Sequence, residues 1–152
     1  MSRFQNTLVM ETLRGIPLKK KPFNIIEDLL YLTDELPCSN SILVKAPFRT
    51  DFASIPRFFW RICGAPSDWY REAAVIHDYL CPRFDAQGIK VPHLCDHETA
   101  ADVFYEGMLD IIENSKWCER TKARRKWQAK VMRWGVIKYG PKFESDSWGG
   151  GA

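Results

Sequence analysis

The spacing of apolar residues divides the chain into two unlike parts. In the first fifty residues the apolar positions fall in three short runs, Thr7 to Leu13, Phe23 to Leu32 and Ser41 to Ala46. Gly15, Pro17, Pro22, Pro37 and Asn40 separate them. Short runs bounded by such turn residues predict short strands. From Ser54 onward the period lengthens to that of helices. Ser54 is placed to cap a short helix holding Arg57 to Trp60, with Pro56 in its first turn. Ser67 is placed to cap a second helix running to about Leu80, in which Trp69, Ala73, Ile76 and Leu80 form one buried stripe. Asp96 opens a third helix to about Glu113, with Ala101, Phe104, Tyr105, Met108 and Ile112 along one side. A fourth spans about Thr121 to Tyr139, its core stripe read as Ala123, Trp127, Val131 and Trp134, and Gly140-Pro141 ends it. The expected class is α+β: short N-terminal antiparallel strands followed by a bundle of about four helices. Residues 1–144 read as one domain and residues 145–152, with three consecutive glycines, as a flexible tail.

Composition narrows the function classes. At 45% hydrophobic, 13% aromatic and 27% charged over 152 residues, the chain has the material for a sizeable core. Disordered, collagen-like and coiled-coil classes are excluded. No run approaches the roughly 18 to 20 apolar residues of a membrane helix, and Met1 to Asn6 lack the apolar stretch of a signal peptide. The expectation is a protein made in a bacterial cytoplasm, with no membrane span. Cys38, Cys63, Cys81, Cys95 and Cys118 form an odd set without a CxxC pair, which predicts mostly reduced core thiols.

The net charge of +3 conceals a segregation. Arg120 to Lys138 holds eight basic residues and no acid; fourteen basic residues then face nineteen acids elsewhere, a net −5. Within that stretch Arg124, Arg125, Lys126, Lys130 and Arg133 are the candidate binding residues. Interleaved with Trp127 and Trp134 they can grip phosphates while the rings stack. If the tryptophans fill the core instead, the charges form a face for a protein partner, and that reading is preferred over nucleic acid.

Candidate chemistry is sparse because the chain has only three histidines, His77, His93 and His97. An HD phosphohydrolase needs a further histidine upstream of His77-Asp78, and none exists. His97-Glu98 lacks the second histidine of a zinc-protease helix. His77, Asp78 and Asp102 together supply a general base, its orienter and oxygen ligands for a divalent cation. That order is similar to phospholipase A2, although the glycine-rich calcium loop and flanking disulfides are missing. The plainer reading makes His77 a core histidine bonded to a buried carboxylate. Cys81, His93, Cys95 and His97 are all zinc-ligand types, but the order Cys-x11-His-x-Cys-x-His lacks the usual paired spacing. Beyond that possible divalent metal, no cofactor is expected.

Two strings are distinctive: Ala46-Pro47-Phe48-Arg49-Thr50-Asp51-Phe52-Ala53-Ser54-Ile55-Pro56-Arg57 and Ala73-Ala74-Val75-Ile76-His77-Asp78-Tyr79-Leu80. With Ala101-Asp102-Val103-Phe104 and Lys138-Tyr139-Gly140-Pro141 following, the chain resembles domain-of-unknown-function family 1353, small proteins of tailed phages and prophages. The resemblance covers roughly Leu43 to Pro141. It departs at Pro47, where the family has glycine, and in a longer loop between Cys81 and Asp96. The family brings no settled activity. It implies a phage genome and late genes for tail or lysis functions. Asp51, Arg57, His77, Asp78 and Asp102 are the polar residues within the resembling segments, with Asp51 and Arg57 expected in a structural polar network. The function expected is a virion-associated tail or tail-tip component, located in the phage virion, whose partners are other tail proteins. The alternatives are a metal-dependent hydrolase using His77, Asp78 and Asp102, and an intracellular anti-defence or ligand-binding protein.

Overall fold

A computed structural model describes residues 2–16, 23–37, 39–50, 55–65, 68–83, 87–89, 91 and 94–144. Five short strands precede the helices, as an α+β reading requires: β1 (Met10–Thr12), β2 (Phe23–Ile25), β3 (Leu29–Leu32), β4 (Ser41–Val44) and β5 (Phe48–Thr50). They form two antiparallel sheets, one in the order β1-β2-β5 and the other pairing β3 with β4. The register of the second sheet follows from its side chains. Leu29 lies opposite Val44 and Tyr31 opposite Ile42, so four buried residues share one face while Leu32 and Leu43 point outward. The run from Phe23 to Leu32 is thus two strands rather than one. Between them, the Asp28 carboxylate accepts the Ala46 backbone N–H at 2.8 Å and its carbonyl accepts the Asn6 amide at 2.6 Å. These bonds divert the chain from one sheet to the other. Strand β5 lies in the distinctive string around Thr50 and has no alternating pattern long enough to announce it.

A 3-10 turn (Arg57–Phe59) leads into the four-residue α1 (Trp60–Cys63), followed by α2 (Arg71–Leu80), α3 (His97–Glu113) and α4 (Glu119–Tyr139). Trp69, Ala73, Ile76 and Leu80 are all buried, and so are Ala101, Phe104, Met108 and Ile112, while Tyr105 is half-buried. Asp96 caps α3 by accepting the Thr99 N–H at 2.8 Å. Hydrogen bonding from Thr99 holds its carboxyl below the usual carboxylate range. Close α2–α3 packing depends on Gly107, where a Cβ would come within 3.2 Å of that of Ala73. The N-terminal segment is fastened across α3: Ser2 Oγ and the Arg3 N–H donate to Asp110, and the Arg3 guanidinium pairs with Asp34 at 2.8 Å. One apolar core runs from Leu8 through the inner faces of the sheets and helices to Phe143. Ser54, Ser67 and the tail 145–152 lie outside the described residues.

Helix α4 departs from expectation. Its buried residues are Gln128, Ala129, Met132, Gly135 and Val136. Ala123 is exposed, Val131 half-buried, and Trp127 and Trp134 are 57% and 52% exposed. The large aromatic residues were assigned to the core, but α3 and α1 both pack against the side bearing small and flexible ones. Gly135 explains the choice. Phe59, buried to 2% exposure, lies where a Cβ at that position would be, so its ring fills a notch that only glycine leaves. Gln128 adds a bond from Nε2 to the Ile62 carbonyl at 2.9 Å. Together they seat the short helical segment on α4 and turn both tryptophans outward.

Candidate binding surface

The outward side of α4 joins the short helical segment in a continuous aromatic surface. In the triplet Arg57-Phe58-Phe59 the Phe59 ring is buried and the Phe58 ring lies over it, centroids 4.2 Å apart, leaving Phe58 52% exposed. Phe58 meets Tyr139 edge-on with centroids 5.4 Å apart, and Trp134 meets Tyr139 likewise at 5.7 Å. Tyr139 is itself 51% exposed and Ile62 50%. The Lys138 ammonium lies 4.9 Å over the Trp134 ring and 5.4 Å over that of Tyr139. Phe58, Ile62 and Tyr139 escaped the sequence reading because each belongs to a pattern that also describes a core. The single hint is Gly135, a glycine within a long helix, which marks where a neighbour approaches closely.

The five basic residues proposed for binding do not act alike. Arg124 and Lys130 are exposed and have no acidic partner among the described residues. Lys126 pairs with Glu113 of α3 at 2.7 Å, and Arg133 with Asp102 of α3 at 2.6 Å. Arg125 donates to Gln128 at 3.1 Å, and its guanidinium lies 5.2 Å and 5.5 Å from the Trp69 and Trp117 ring centroids. Three of the five thus hold α4 to its neighbours, and two face solvent. The i, i+7 spacing that puts Lys126 and Arg133 on one side of α4, facing α3, is invisible in a count of charge.

The His77, Asp78 and Asp102 set is not assembled as expected. Asp102 accepts from Arg133 Nε at 2.6 Å rather than from His77. A fixed cation on the adjacent helix is a stronger partner than a neutral imidazole. His77 is almost wholly buried, 3% exposed, in the last turn of α2, and burial pushes its pKa down to about 4. Its ring lies 5.1 Å from that of Phe104, and Cys81 Sγ is 3.9 Å from both ring nitrogens. Asp78 accepts the hydroxyl of Thr50 at the end of β5. Arg57 is exposed with its guanidinium 5.8 Å over the Trp60 ring, so it is not part of a buried network. Asp51 lies outside the described residues.

The described members of the zinc reading do not converge either. Cys81 and Cys95 are buried, the Cys95 thiol pushed up to about 12 by that burial. His97 Nδ1 is 3.0 Å from the Phe143 carbonyl. Among the described residues no three His, Cys, Asp or Glu side chains form a group able to hold a metal, and His93 lies outside them. Two shallow clefts flank α3. One of about 660 Å³ is lined by Arg3, Glu35, Asp102, Glu106 and Lys130 among others. The other, of about 570 Å³, is lined by Asp68, Glu72 and Asp110 among others. Neither is lined by His77 or Asp78. No helix among the described residues is long and apolar enough to cross a membrane.

Comparison with known proteins places this geometry in a family. Residues 23–136 match the model of the family described as "Protein of unknown function (DUF1353)". The Uncharacterized protein y4jT of Sinorhizobium fredii (strain NBRC 101917 / NGR234) is 37% identical over 94 residues, 61% of this chain and 22% of that relative. The chain therefore spans about a fifth of the length of this curated relative. No solved structure matches. The family match takes in β2 to β5, the buried His77 and most of α4, and the chain belongs to the DUF1353 family.

Proposed function

We propose that this protein works by binding another protein, and that the outward side of α4 with Phe58 and Ile62 is the surface it uses. The observation that carries the reading is Trp127. Its indole, 57% exposed, lies two turns before Trp134 on the same side of α4 and adds to the exposed patch of Phe58, Trp134 and Tyr139, and exposed apolar patches mark interaction surfaces. Aromatic residues flanked by free cations are also the composition of interface centres. The setting implied by the family resemblance, a tailed-phage or prophage genome, makes a virion tail protein the proposed partner and the virion the proposed location.

Exposed charges contribute roughly 0 to 1 kcal/mol each to stability, whereas interface charges set register and association rate. The variant carrying Arg124→Glu and Lys130→Glu is therefore expected to melt like the wild type and to be lost from purified particles. Mass spectrometry of those particles measures this. Wild-type protein missing from intact particles contradicts the virion setting, and a double variant incorporated normally contradicts the surface.

A further inference from the structure

The proposed binding surface has a repeat that specifies the shape of its partner. Arg120, Arg124, Trp127, Val131, Trp134 and Lys138 follow one another at intervals of four, three, four, three and four residues. Alternating steps of four and three, seven residues for each pair of steps, are the spacing of a seam along which two helices pack side by side. The seam runs about 27 Å along α4 at 1.5 Å per residue. Helices α3 and α1 pack against Gln128, Ala129, Met132, Gly135 and Val136 on another side; along the seam Val131 is half-buried against the core and Phe59 and Tyr139 touch the Trp134 ring, while Trp127 and Trp134 stay more than half exposed. Its chemistry changes along its length: two arginines, then Trp127, Val131 and Trp134, then Lys138. We propose that this seam receives one helix of a partner protein, apolar in its middle and acidic at both ends. The proposal rests on the binding role of α4 argued above.

Charge selects among occupants. The same seam of a second copy is basic at both ends, so pairing α4 with α4 in either direction opposes like charges. Apolar contact alone would permit that pairing; the cations forbid it. Single-stranded nucleic acid needs open ring faces on which bases stack. Trp134 does not offer that freely, because Lys138 lies over its ring while Phe59 and Tyr139 meet it edge-on, so of the seam's two indoles Trp127 alone has open faces, where stacking along a strand uses successive rings. An acidic-ended helix uses all six positions: carboxylates meet Arg120, Arg124 and Lys138, and apolar side chains cover the two indoles and Val131.

The test uses two designed helical peptides of the length of α4 with one apolar seam, flanked by glutamates in one and by lysines in the other. Oligothymidylate is the third probe. Binding is read from tryptophan fluorescence against the full-length protein. The glutamate peptide is expected to bind at least about tenfold more tightly than the lysine peptide, a difference of about 1.4 kcal/mol. Rising salt should narrow that gap. The variant Trp127→Ala with Trp134→Ala should weaken the glutamate peptide about tenfold or more at unchanged helicity. Equal affinity for both peptides, or no binding of either, overturns the acidic-helix partner. Binding of oligothymidylate alone overturns it while leaving α4 as a binding surface. Normal attachment of the Arg124→Glu, Lys130→Glu variant in particles is the separate result that removes the surface itself.

Discussion

His77 shows how one residue can look like a general base in a sequence and be almost wholly buried in the fold. Its neighbours in the chain suggest a base with an acid beside it. In the fold it is buried against the Phe104 ring, Asp78 accepts from Thr50, and Asp102 accepts from Arg133. Burial lowers its folded pKa to about 4, below the ordinary value of 6.5, so the folded protein holds it neutral. The sign follows. Between pH 6.5 and 4 the unfolded chain binds a proton that the folded chain refuses, so stability falls as the solution is acidified. A shift of that size corresponds to about 3 kcal/mol lost across the window. Urea denaturation at steps from pH 7 to pH 4 should show this loss in the wild type and a flatter profile in His77→Gln. Parallel profiles would mean that His77 titrates like an exposed histidine.

At the scale of elements, the helices were legible wherever one period served one purpose. The stripes of α2 and α3 each serve a single core, and Asp96 supplies the cap of α3, so spacing alone placed them. Helix α4 has apolar residues on two sides, and a periodicity argument has no means of ranking them. Size misled: Trp127 and Trp134 suggest a core, but the inward side is Ala129, Met132 and Gly135. The β5 strand was missed for the opposite reason, since three residues are too few to show alternation. Gly135 decides how α4 meets the short segment before α1. Alanine at an ordinary helix interior position is favourable by about 1 kcal/mol over glycine. Here its Cβ would overlap the buried Phe59 ring, and overpacking of that kind costs about 1 to 3 kcal/mol. Gly135→Ala is expected to lower the melting temperature, and pairing it with Phe59→Leu should recover part of the loss. A raised melting temperature for the single variant would show that the notch is not occupied as described.

For the whole molecule, charge and apolar surface are arranged together. The basic residues are concentrated on the last helix, three of them tied to α3 or to buried rings. Of the remainder, Lys138 lies over Trp134, and Arg124 and Lys130 are exposed on the helix that carries both outward tryptophans. The central claim is that α4 carries a second apolar face which this chain's own core does not use. Trp127→Ala tests it most directly, by urea denaturation of the free protein. Exposed substitutions change stability by no more than about 0.5 kcal/mol, whereas truncating a core tryptophan costs about 3 to 5 kcal/mol. The account predicts a change within the first range, and a loss in the second would return Trp127 to the core and contradict it.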